Sequence, residues 1–181
     1  YWDNGKTVIQ QVTFTPINQE SAATKRYLAG DIDITESFPK NLYQKLLKDI
    51  PGQVYTPPQL GTYYYAFNTQ KGPTADERVR LALSMTIDRR LMAEKILGTG
   101  EKPAWRFTPD VTAGFTPQQT QIESMSQAEL NAQAKALLQA AGYGPNRPLK
   151  LTLLYNTSEN HQKIAIAVAS MWKKNLGVDV K

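Results

Sequence analysis

Gln59–Arg90, QLGTYYYAFNTQKGPTADERVRLALSMTIDRR, decides how the rest of the chain is read. Gly61 to Phe67 is crowded with aromatic residues that suit a pleated, half-buried strand. Side chains alternate along a strand, so Tyr63 and Tyr65 are expected on one side and Thr62 with Tyr64 on the other. Asn68 to Pro73 is turn chemistry, in which Gly72 relaxes the backbone and Pro73 fixes φ. Thr74 and Glu77 have capping-box spacing at a helix start. Val79, Ala82, Leu83 and Thr86 then fall at i, i+3, i+4 and i+7, one stripe of that helix, with Arg78 and Arg80 off it. Asp88 is placed to cap a further helix carrying Leu91, Met92 and Ile96, which Gly98 stops.

At 181 residues, 41% apolar and 20% charged, the chain has enough apolar content for a buried core and too little charge bias for disorder. Its net charge of +5 comes from scattered Lys and Arg with no basic block, so nucleic acid is not expected as a partner. Cysteine is absent, which removes disulfide frameworks, thiolate nucleophiles and cysteine–zinc sites. No apolar run is long enough to span a bilayer and no signal peptide is present. The chain opens on Tyr1 without Met and closes after Val178-Asp179-Val180, which reads as a strand; a piece of a longer protein is expected.

Upstream, Thr7 to Ile17 alternates Val8, Val12 and Phe14 with polar residues and is expected to be a strand. Gly5-Lys6-Thr7 resembles the end of a phosphate-binding loop, but that motif needs an upstream Gly and a following helix. Asn18 is the expected cap of a helix through Leu28, closed by Gly30. Asp31 to Ile34 alternates as a strand that puts Asp31 and Asp33 on one face. Paired carboxylates suit metal binding or acid–base work, yet no third ligand follows at motif spacing. Lys40 to Ile50 forms a short helix with Leu42, Leu46 and Leu47 on its apolar side, Pro51-Gly52 ends it, and Val54-Tyr55 suggests another strand. Pro57-Pro58 cannot continue a central ladder and marks a crossing between two lobes.

Downstream, Gly98 to Glu123 is a long Pro-, Gly- and Thr-rich loop in which Trp105 and Phe107 anchor to the core or line a ligand wall. Ser126 with Glu129 is a second capping box, opening a helix that ends at Gly142. Leu149 to Tyr155 reads as a strand whose run Leu151–Leu154 suggests cover on both faces. A helix bearing Ile164, Val168, Met171 and Trp172 follows, Gly177 stops it, and Val178 starts another strand. This β-α-β order puts the loop 156–161 at a strand's carboxyl end, where open α/β folds bind ligands. His161, the sole histidine, lies there. No nucleophile motif, zinc motif or dinucleotide fingerprint occurs, so neither an enzyme nor a cofactor or metal is expected; a carboxylate-based hydrolase using Asp31, Asp33 or Glu36 is the non-transport alternative.

Phe67-Asn68-Thr69-Gln70-Lys71-Gly72-Pro73-Thr74-Ala75-Asp76-Glu77-Arg78-Val79-Arg80, continuing to Ile87-Asp88-Arg89, resembles the signature F-N-T-x-K-x-P-F-x-D-x-R-V-R-x-A-L-x-x-A-I-D-R. That signature belongs to the extracellular solute-binding proteins, family 5, of peptide and nickel ABC importers. Thr74 replaces the usual aromatic. Leu28, Gly30, Ile32 and Asp33 match a second phrase of the family, and 153–181 resembles its oligopeptide-binding branch. The resemblance implies an α/β, periplasmic binding protein-like class II fold, here partial, with a mixed sheet and flanking helices. Residues 1–58 become part of the first lobe, β-α-β-α-β, and 59–181 the N-terminal part of the second, ligand-closing lobe. It also implies a periplasmic location, a short peptide as ligand, and an inner-membrane ABC permease as partner and sole link to the membrane. Within the branch the ligand expected is murein tripeptide, L-Ala-γ-D-Glu-meso-diaminopimelate, with general oligopeptides or another cargo as the alternative. Carried over by position, Gln59, Leu60, Gly61 and Tyr64 lie where the hinge-side strand meets the cleft, and Asn156 and His161 lie on the cleft loop of the second lobe. Broad oligopeptide binders often hold a disulfide cysteine where Gly61 stands, a departure that fits the murein-peptide members. The groups that meet the charged ends of the peptide come, in the family, from other parts of the chain.

Overall fold

The apolar stripe of the opening stretch becomes the centre of the molecule. In the computed structural model, which describes residues 2–181, Val79, Ala82 and Leu83 of helix α3, Glu77–Met85, and its C-cap Thr86 are completely buried. Helix α6, Gln127–Ala140, lays Leu130, Ala134 and Leu138 against that stripe, and α7, Glu159–Leu176, adds Ile164, Val168 and Trp172. Leu149 and Val178 complete the same core, each immediately ahead of one of the two strands that flank α7. Those strands, β1 at Lys150–Leu151 and β2 at Asp179–Val180, pair in parallel with Lys150 opposite Asp179. The β-α-β unit therefore forms as expected, and Leu153 N–H extends the ladder to the Lys181 carbonyl at 2.9 Å.

Most helix ends follow their local chemistry. Ser126 and Glu129 make the reciprocal capping box, Asp88 accepts from Leu91 N–H at 2.9 Å, and Gly177 closes α7 in the left-handed region at φ 68°. Asp88 opens α4, Arg89–Leu91, which widens into a π-helical turn over Met92–Leu97; Gly98 N–H reaches back five residues to the Ala93 carbonyl. At the other helix start the expectation fails. Asp76, not Thr74, caps α3 by accepting from Arg78 N–H, because Thr74 sits one turn earlier in the 3₁₀ turn Pro73–Ala75 and donates instead to the Asn68 carbonyl.

Three further expectations are corrected. Thr7–Ile17, Asp31–Ile34, Val54–Tyr55 and Gly61–Phe67 run without a hydrogen-bonded ladder, since no strand among the described residues lies beside them. Period-2 patterning identifies a chain that suits a sheet but supplies no partner for its N–H and C=O groups. Helix α1, Glu20–Leu28, starts after Gln19 rather than Asn18, and no side chain at its own start caps it. The Leu151–Leu154 run is covered on one face alone, with Leu151 and Leu153 half-buried and Leu154 88% exposed. Lys40–Leu42 forms a 3₁₀ turn leading into α2, Tyr43–Asp49, where Leu46 is the buried residue.

Arg89, near the end of the signature, shows why that helix end holds. Its guanidinium donates to the Ser84, Ile87 and Ala104 carbonyls and to the Ser84 hydroxyl, and lies 4.8 Å from the centre of the Trp105 ring. Burial without a carboxylate pulls its pKa down from the usual arginine value. Trp105 thus anchors its loop to the core, through a planar fork that lysine cannot reproduce. Arg89→Lys is expected to lower stability by about 1.5–3 kcal/mol in urea unfolding, while Arg90→Lys at the exposed neighbouring position stays within about 0.5 kcal/mol.

Candidate functional site

Gly61–Phe67 keeps strand-like alternation even without a ladder. Tyr63 and Tyr65 meet edge to face at 5.6 Å, and Tyr65 and Phe67 continue onto the core. On the opposite side, the Thr62 hydroxyl donates to the Phe107 carbonyl at 2.7 Å and the Tyr64 ring meets the Phe107 ring edge to face at 5.2 Å. This is the division of Tyr63 and Tyr65 from Thr62 and Tyr64 read from the sequence. Tyr65 carries a buried hydroxyl without a hydrogen-bond partner; burial, reinforced by the adjacent Tyr63 hydroxyl, pushes its pKa well up and keeps it neutral.

The cleft loop organises His161. Ser158 caps α7, and Asn156 folds back in an Asx turn, its Oδ1 accepting from Ser158 N–H at 3.2 Å. The same oxygen lies 2.7 Å from His161 Nδ1, so the imidazole presents an Nδ1–H to Asn156. Its ring centre is 4.9 Å from that of Tyr63. Asn156, His161 and Tyr63 therefore form one cluster. Tyr64 lies on the other side of its segment from this cluster, 61% exposed, and its hydroxyl has no hydrogen bond among the described residues. Gln59 and Leu60 are exposed, and a Cβ on Gly61 would meet nothing within 4 Å. Of the expected residues, then, Asn156 and His161 are joined, while Gln59, Leu60 and Gly61 are exposed and Tyr64 faces Phe107, away from that pair. Sequence reasoning missed Tyr63, whose place beside His161 depends on two segments 98 positions apart (161 less 63) meeting in space.

Asp31 and Asp33 gather no site. Asp31 pairs with Arg26 at 3.7 Å on the surface, and the described residues contain no group of three or more His, Cys, Asp or Glu arranged to hold a metal ion. No described helix is long and apolar enough to cross a membrane.

A second polar cluster joins the N-terminal helices to α7. Glu20 accepts from the Ser158 hydroxyl and, at 3.0 Å, from Glu159 N–H. Glu159 in turn accepts from Ser21 N–H at 3.1 Å and from the Ser21 hydroxyl at 2.7 Å. Asn160 donates to the Phe38 carbonyl and accepts from Lys40 N–H, and the Lys40 ammonium reaches Thr99 and Glu101. An open cleft of about 320 Å³ lies beside it, between Ser21, Pro39 and Leu42 on one wall and Glu159, Asn160 and Lys163 on the other.

Comparison with known proteins agrees with this architecture. The profile of bacterial extracellular solute-binding proteins, family 5 (middle), matches residues 1–181. The chain belongs to that family. It is 89% identical over its whole length to the periplasmic murein peptide-binding protein MppA of Escherichia coli, of which it covers 34%. It is 49% identical to the periplasmic oligopeptide-binding protein OppA of Salmonella typhimurium, covering 33% of that protein. The chain thus spans about a third of the length of these curated relatives. Among solved structures, the murein tripeptide binding protein MppA of E. coli superposes with a TM-score of 0.98 at 89% identity over 100% of this chain and 36% of that one. The unliganded open form of MppA gives 0.71 at 88% identity, over 100% of this chain and 35% of that one.

Burial raises the pKa of Glu20, but its hydrogen bonds to the Ser158 hydroxyl and to the backbone N–H groups of Glu20, Glu159 and Asn160 outweigh burial and hold it below the ordinary 4.5. A lowered folded-state value means the carboxylate's stabilisation is fully present above the unfolded value and is lost as pH falls through the folded one. Urea midpoints measured between about pH 6 and pH 3 should show wild type more stable than Glu20→Gln at the upper end, with the difference shrinking on acidification.

Proposed function

We propose that the chain is the middle part of the substrate-binding component of a peptide ABC importer that captures murein tripeptide in the periplasm and passes it to an inner-membrane permease. The observation that carries this reading is the 89% identity to MppA across all 181 residues, against 48–49% to the OppA proteins of two enteric bacteria. The glycine at position 61 is in keeping with it, since the broad oligopeptide binders that the chain resembles often hold cysteine there. Function is binding and hand-over, with no catalysis and no cofactor. Residues 1–58 and 59–181 belong to two lobes that close on the peptide, with Pro57-Pro58 at the crossing. The two TM-scores support this division, because nearly the same sequence superposes at 0.98 on one structure of the relative and 0.71 on its open form.

In this reading Gln59, Leu60, Gly61 and Tyr64 border the ligand from the crossing segment, and Asn156 and His161 approach it from the loop ahead of α7. Asn156 fixes the imidazole through Nδ1, which leaves Nε2 as the polar atom for the ligand. Tyr64 offers an uncommitted hydroxyl on a ring held by Phe107.

Titration calorimetry of the full-length protein tests the cargo: murein tripeptide should bind more tightly than α-linked tripeptides of similar composition. Equal or tighter binding of the α-linked peptides would move the protein to the general oligopeptide class. Tyr64→Phe should weaken the complex by about 0.5–1.5 kcal/mol, the worth of one neutral hydrogen bond, and unchanged affinity would remove Tyr64 from the site. The 181-residue stretch alone should bind weakly, because the groups for the charged ends of the peptide lie elsewhere in proteins of this family; micromolar affinity would overturn that.

A further inference from the structure

Helix α1 and helix α7 start at the same place, and neither start is complete by itself. An isolated helix N-terminus leaves N–H groups without acceptors and carries the positive end of the helix dipole. Two such ends facing each other repel unless acceptor groups stand between them. Here each helix supplies the other's acceptor: Glu20, the first residue of α1, takes the Glu159 N–H and the Ser158 hydroxyl of α7, and Glu159, the first residue of α7, takes the Ser21 N–H and hydroxyl of α1. The exchange is reciprocal and spans 138 positions of sequence. It also explains why α1 has no capping side chain of its own.

We propose that this exchange of caps is a latch between the two lobes, made when they come together and broken when they part. The proposal rests on the two-lobe reading above, in which α1 and α7 belong to different lobes. Its chemistry suits a reversible contact. Every donor and acceptor involved can be taken over by water on opening, so parting leaves no unsatisfied group, while on closing the repulsion between the two approaching carboxylates is offset by giving each the other helix's start. The Lys40–Glu101 ion pair and the two hydrogen bonds of Asn160 lie alongside and register the same two surfaces. The latch touches the cleft loop at Ser158, whose N–H donates to Asn156 and whose hydroxyl oxygen accepts from His161 N–H, but the carboxylates that make it are not ligand-facing, so it acts on the lifetime of the closed state.

These 181 residues hold no cysteine, so, with any cysteine elsewhere in the full-length protein replaced by serine, labels are placed at Lys25→Cys on α1 and Lys173→Cys on α7, both exposed. Electron-spin distance measurements on the full-length protein, with and without murein tripeptide, should show wild type populating a short distance that the ligand enriches. Glu20→Gln combined with Glu159→Gln keeps the side-chain shape and removes both charges. It should shift population toward the long distance and speed ligand dissociation by about tenfold, the weight of one charge-assisted hydrogen bond, with the association rate unchanged. Circular dichroism confirms that the variant is folded, and Glu159→Gln alone provides a milder form. A wild-type distance that never responds to the tripeptide would overturn the two-lobe reading and the latch with it. A responsive wild type whose distances and dissociation rate match those of the double variant would overturn the latch alone.

Discussion

The indole N–H of Trp172 donates to the Leu83 carbonyl at 2.9 Å in the middle of the core, and the packing of the second half of the chain depends on it. Leu83 lies in the last turn of α3, where carbonyls run out of helical partners. Trp172 satisfies one such carbonyl from α7, the Thr86 hydroxyl donates to both the Ala82 and Leu83 carbonyls, and Arg89 takes that of Ser84. The end of α3 is thus finished in large part by side chains, two of them completely or almost completely buried. An apolar residue at position 172 would fill the space but leave the Leu83 carbonyl to the Thr86 hydroxyl alone. The fully buried threonine at the end of an otherwise apolar stripe has the same cause.

That arrangement explains what the signature Val79-Arg80…Ile87-Asp88-Arg89 does in this chain. Val79 and the residues one and two turns on make the core, Asp88 starts the next helix, and Arg89 ties the joint to the loop at Ala104–Trp105. All of it is scaffold. The residues that face a ligand in the proposed function lie before it, at 59–64, and after it, at 156–161. A long shared motif can therefore identify a family while saying little about its cargo, because packing constrains many neighbouring positions together and ligand contact constrains few.

Features settled within one turn of chain were legible in the sequence. The Ser126–Glu129 box, the Asp88 cap, the glycine stops at 98 and 177, and the alternation of Tyr63, Tyr64 and Tyr65 all follow from local geometry. Features that need a distant partner were not. Thr7–Ile17 has the pattern of a strand, but pattern cannot say whether a neighbour is present to bond it. Leu151–Leu154 suggested cover on two faces, yet hydrophobicity does not reveal that no element lies over Leu154. Thr74 lost its expected role because the helix starts two residues later, at Asp76, which accepts from Arg78 N–H while Thr74 donates to the Asn68 carbonyl. The caps from Glu20 and Glu159 and the Tyr63–His161 contact connect segments about a hundred positions or more apart, and no spacing rule reaches that far.

The π-helical turn at Met92–Leu97 has a consequence for how such a scaffold evolves. A π turn accommodates one residue more than an α turn within nearly the same rise, so a single-codon insertion is absorbed without lengthening the helix. Just beyond it, Gly98 reverses the chain and Thr99 and Glu101 meet Lys40. Deleting one residue there would tighten the turn and rotate Thr99 and Glu101 by about a quarter of a turn, 100° per residue, carrying them off Lys40 while α3 and its core stayed intact. Lineages could thus gain or lose this contact between the N-terminal helices and the body through one indel, independently of every residue beside the cleft loop.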